Sequence, residues 1–114
     1  MNISFVNVYD GDVFSYAVSD AETVSELIDL YYSGEETSYP GNSGMTPKVN
    51  LRLKFADKTI GIYYVLAYYE YAEDYIVTDE SGAQTNYGKT FVHNRETGRC
   101  VAVDGLPEGA KSSK

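Results

Sequence analysis

No lysine, arginine or histidine occurs before Lys48. The chain also has no tryptophan, a single cysteine (Cys100), a single histidine (His93) and three prolines among its 114 residues. Each scarcity excludes something. One cysteine rules out an internal disulfide and points to a reducing compartment. A base-free N-terminus has no positively charged leader region, and the longest apolar run, Ile60 to Tyr69, is about half of what a membrane helix needs. The expectation is a soluble, cytoplasmic protein.

Sequence motifs for chemistry are equally sparse. No glycine-rich phosphate loop follows a strand, and Asp10-Gly11-Asp12 lacks the remaining ligands of a calcium loop. His93 and Cys100 fall on paired strands of one expected hairpin, but no third orienting group or oxyanion signature accompanies them. No catalytic residue, cofactor or metal is expected, and the chain is read as a non-enzyme.

What is abundant is acid, and it is placed unevenly. Asp10, Asp12, Asp20, Glu22, Glu26, Asp29, Glu35 and Glu36 all precede the first base. Of the 17 acids, the other nine are matched by the nine bases that follow, so the first 47 residues carry the whole net charge of −8. Tyrosine is the second abundance: twelve, against four phenylalanines. Its apolar body and polar tip suit sheets and interfaces.

Hydrophobic patterning predicts a single α+β domain over residues 1–105, with 106–114 as a flexible tail. Strands are expected at 2–9 and 13–18 around an Asp10-Gly11 turn, with Phe14, Tyr16 and Val18 facing the core. Ser19 and Glu22 have capping-box spacing. Val24, Leu27, Ile28 and Tyr31 then recur at helical intervals before Gly34. Residues 34–47 read as a long loop. Alternation at Val49, Leu51, Leu53 and Phe55 predicts a half-buried strand with a basic outer face, and 59–68 a strand apolar on both faces. Further short strands are expected at 75–78, 89–93 and 99–103. The order is ββαβββββ: one helix on an antiparallel sheet of five to seven strands. The sheet face away from the helix must be polar or bind something.

The tyrosine pairs suggest a base-stacking platform, but the net charge opposes direct nucleic-acid binding. One-sided charge instead points to a basic partner. The expected role is a small inhibitor that engages a basic, nucleic-acid-handling protein through carboxylates, as nucleic-acid mimics of phage anti-defence (anti-CRISPR-like) proteins and nuclease immunity proteins do. The expected partner-binding residues are Glu22, Glu26, Asp29, Tyr32, Glu35, Glu36 and Tyr39. The alternative is a structural or assembly protein of a phage or mobile element that oligomerises through strand 59–69. A small-ligand domain or enzyme ranks below both.

Overall fold

The computed structural model describes residues 3–38 and 46–111. It is an α+β fold: one helix lies against a seven-stranded antiparallel sheet, and a small two-stranded sheet lies apart from it. In chain order the elements are β1 (Phe5–Asp10), β2 (Val13–Val18), α1 (Ala21–Ser33), β3 (Glu35–Thr37), β4 (Val49–Asp57), β5 (Gly61–Glu70), β6 (Ile76–Thr78), β7 (Gln84–Asn86), β8 (Thr90–His93) and β9 (Cys100–Ala102). The large sheet runs β2-β1-β4-β5-β8-β9-β3, and β6 pairs only with β7.

The first hairpin forms because Gly11, at φ 62°, accepts the left-handed conformation that a two-residue turn demands. Its faces depart from simple alternation. A bulge between Val8 and Tyr9 makes Phe14 rather than Ser15 the partner of Tyr9. Tyr16 and Val18 therefore face the helix, while Phe14, expected in the core, turns to the opposite face and packs edge-on against Tyr9 with ring centroids 5.6 Å apart.

The helix begins one residue later than its capping box implies. Asp20, not Ser19, is the N-cap, and its carboxylate accepts from the Thr23 backbone N–H (3.0 Å) and hydroxyl (2.8 Å). Val24, Leu27 and Tyr31 are buried and Ile28 packs at their margin, as the helical spacing predicts. Gly34 ends the helix in an extended conformation (φ −71°, ψ 165°). A left-handed cap is thus not why glycine stands there. A Cβ at Gly34 would overlap Val101 Cγ1, so glycine permits the close approach of helix end and β9. The chain then enters β3 rather than a loop: Glu35, Glu36 and Thr37 pair with Ala102, Val101 and Cys100.

Two cores result. On the helix side Val6, Val8, Leu53, Phe55, Leu66, Tyr68, Val92 and Val101 meet α1. Burying the four apolar helix side chains contributes roughly 6–12 kcal/mol of gross transfer free energy, much of it offset by ordering entropy. On the other side Ala67, Tyr69, Phe91 and Cys100 are covered by Tyr71, Tyr75 and Tyr87 of the excursion that carries β6 and β7. This excursion is pinned by Tyr71 N–H to Lys89 O, Tyr75 N–H to Gly88 O and Tyr87 N–H to Tyr75 O, each 2.8 Å. The two-sided apolar character of β5 is thereby explained for its C-terminal half alone. Leu106 to Ala110, expected at the start of a flexible tail, pack on the domain: Ala110 is buried, and its carbonyl accepts from the Tyr16 hydroxyl at 2.7 Å.

Candidate functional site

Helix α1 turns its apolar stripe to the sheet, so the residues between the stripe positions face water. Glu22, Glu26 and Asp29 are all exposed there. β3 runs back beside the helix end and brings Glu35 to the same side. Glu26, Asp29 and Glu35 line one open cleft of about 630 Å³ between α1 and the segment 102–107, with Leu30, Leu106 and Pro107. Asp104 joins them from that segment. No Lys or Arg is among the described residues lining it. Glu35 and Asp104 also border a second groove of about 510 Å³ with Asp74 and Lys89. The two hollows share a rim that carries Glu35 and Asp104.

The other residues expected to bind a partner separate from this cleft. Glu22 is exposed one helical turn away. Glu36 forms an ion pair with Arg99, and Arg99 also donates to the Tyr31 carbonyl at 3.1 Å. Tyr32 is half exposed at a different groove, lined by Tyr31, Tyr63, Tyr64 and Arg99. Tyr39 lies outside the described residues. Sequence reasoning missed Asp104. Its Asp-Gly pair signals a turn, but which element that turn faces depends on where β9 lies in the sheet.

The basic stripe of β4 stands on the opposite side of the sheet from the helix, so it does not neutralise these acids. Lys54 Nζ sits 4.1 Å from the Tyr9 ring centroid, and Arg52 Cζ lies 5.8 Å from that of Tyr69. Such contacts hold cations over aromatic faces without a carboxylate.

His93 and Cys100 are direct partners across β8 and β9. Cys100 is fully buried in the second core, and burial pushes its thiol up to about 11. It is a neutral thiol at neutral pH, not the thiolate that nucleophilic chemistry requires. Burial and the nearby Arg95 charge hold His93 below its ordinary range. No group of three or more metal-ligating side chains occurs among the described residues. No helix among them is long and apolar enough to cross a membrane. Comparison with protein-family models, curated proteins and solved structures yields no match.

Proposed function

We propose that this protein is a small binding inhibitor that docks its acidic cleft onto the basic, nucleic-acid-handling surface of another protein. The observation that carries this reading is the convergence of Glu26, Asp29, Glu35 and Asp104 on one cleft with no cation among its described lining residues. The contiguous α1–β3 stretch and the sequence-distant segment 102–107 supply these acids. Like charges gathered this way repel each other, and a cationic partner relieves the repulsion. Apolar Leu30, Leu106 and Pro107 give the same cleft surface that a partner can desolvate. A surface that normally holds phosphates presents the complementary charge, and carboxylates displace its counterions as nucleic acid does.

Charge reversal tests this. Immobilised wild type and a variant with Glu26, Asp29, Glu35 and Asp104 all changed to Lys are exposed to a bacterial lysate and washed with rising salt. All four side chains are exposed, so the fold tolerates the change. The wild type should retain a basic nucleic-acid-binding protein that salt releases, and the variant should not. Equal retention by both would remove the cleft from the mechanism.

A further inference from the structure

The sheet narrows abruptly in its middle. β5 pairs along Gly61–Glu70 with β4 on one side, but β8 pairs with it only from Ala67 to Glu70. Among the described residues, no strand pairs with 61–66 on that side, which leaves a bare edge there. Backbone direction locates the open groups. The Glu70 carbonyl accepts from Lys48 N–H on the β4 side, while Tyr71 N–H donates to Lys89 O on the β8 side. Alternation then turns the amides of Ala67 and Tyr69 toward β8 and that of Val65 toward the bare edge.

The strand segment itself carries neither charge nor proline. Natural sheets guard exposed edges with charge, proline or a covering loop. From Ile60 to Tyr69 there is no charged residue and no proline. Ile60, Ile62, Tyr63 and Val65 are exposed at 64%, 57%, 46% and 37%. Tyr32 flanks them across the groove that also holds Tyr63.

We infer that this edge is a homodimer interface, in which residues 61–66 of two copies pair as antiparallel strands about a two-fold axis. The occupant follows from the chemistry of the segment. A strand that covers it must itself be uncharged and apolar on both faces. Antiparallel self-pairing meets that condition in every register, because each residue from Ile62 to Leu66 is apolar or tyrosine. A two-fold axis makes each contact reciprocal, so the Val65 amides are satisfied in both copies at once. The flanking turns carry Asp57 and Lys58 on one side and Arg95, Glu96 and Arg99 on the other, so no block of like charge is brought together locally. The exposed apolar side chains and strand edge amount to on the order of 1,000 Å² over both copies, about the smallest area a specific interface buries, so the dimer is expected to be weak and reversible.

The inference does not depend on the acidic cleft, and salt separates the two. Two copies of net charge −8 repel at long range, so added salt should strengthen the dimer while it weakens binding to a basic partner. Sedimentation equilibrium from about 5 to about 500 µM, at low and high salt, should show the mass rising from monomer to dimer, more so at high salt. Ile62→Lys and Val65→Glu should each stay monomeric. Their opposite charges exclude a net-charge effect, and the equally exposed Ile76→Lys on β6 should dimerise like wild type. Exchange of the Val65 amide in the unaltered protein supplies a reading that needs no variant: it should slow several-fold across that concentration range. A wild type that remains monomeric throughout, or Val65 exchange independent of concentration, overturns the inference and leaves the edge to a strand from another protein. Dimerisation retained by both variants overturns it as well.

Discussion

The Arg99 guanidinium lies over the Tyr31 ring, 5.2 Å from its centroid, and donates to the Tyr31 carbonyl at 3.1 Å. One side chain thus serves the ring and the backbone of the same residue in the last helical turn. That turn has no base of its own, and Asp29, Glu35 and Glu36 crowd the end where the helix dipole is negative. Arg99, the residue before β9, supplies the missing positive charge and pairs with Glu36.

Arg99→Ala should therefore destabilise the fold by roughly 1–3 kcal/mol, through the lost carbonyl bond and ring contact. Glu36→Ala should cost less than about 1 kcal/mol, because its carboxylate is largely exposed and solvent screens the pair. Urea denaturation of both variants and of the double variant measures the coupling. Equal losses at the two positions would mean that the ion pair, not the helix end, is what matters.

Asp20→Ala should lower the thermal midpoint by a few degrees, since it removes the N-cap. The bonds from Thr23 hold the Asp20 carboxyl below its ordinary value of 3.8. A depressed folded-state value contributes stability above the unfolded value and loses it as pH falls. The gap between wild type and variant should be full at neutral pH and close below about pH 4.

Gly34→Ala should cost roughly 1–3 kcal/mol although its backbone angles suit any residue, because the new methyl collides with Val101 Cγ1 and the Leu30 carbonyl. A second change, Val101→Ala, opens space on the colliding side. The double variant should then lose less than the sum of the single losses. Strict additivity in denaturation would show that the close approach is not the cause.

Cys100 should resist thiol reagents in the native protein at neutral pH and react at once in strong denaturant, because the thiol is buried and held neutral. The sign of the pH effect follows. A folded-state value raised from 9.0 to about 11 favours the fold below the unfolded value and forfeits that advantage as pH climbs between the two. Thermal melts at rising alkaline pH should show it, and Cys100→Ala should remove that share of the decline.

Local pattern was enough for much of the fold. The helix stripe Val24, Leu27 and Tyr31, the Asp10-Gly11 turn, the alternation in β4 and the β8–β9 hairpin all depend on neighbours within a few residues. Departures occur where distant chain meets. β3 has three residues and no alternation to read, and it exists because β9 offers an edge to Glu35–Thr37. Phe14 changes face through a bulge set by its partner strand. Ala110 is buried by a docking site on α1 and β2 that no local signal near residue 110 announces. Of the candidate site, Glu26 and Asp29 were legible as an exposed helix face. Asp104 was not, because its role depends on sheet order.

Sequence alone settled the charge asymmetry, the amphipathic helix and the α+β class, since composition and short-range periodicity act through the chain's own neighbours. Tertiary structure decided which acids share a cleft, that Arg99 closes the helix end, and that β8 pairs with one half of β5 while no described strand pairs with the other on that side. Those outcomes depend on strand order and on where β8 stops pairing, which are long-range choices made by packing two apolar faces at once.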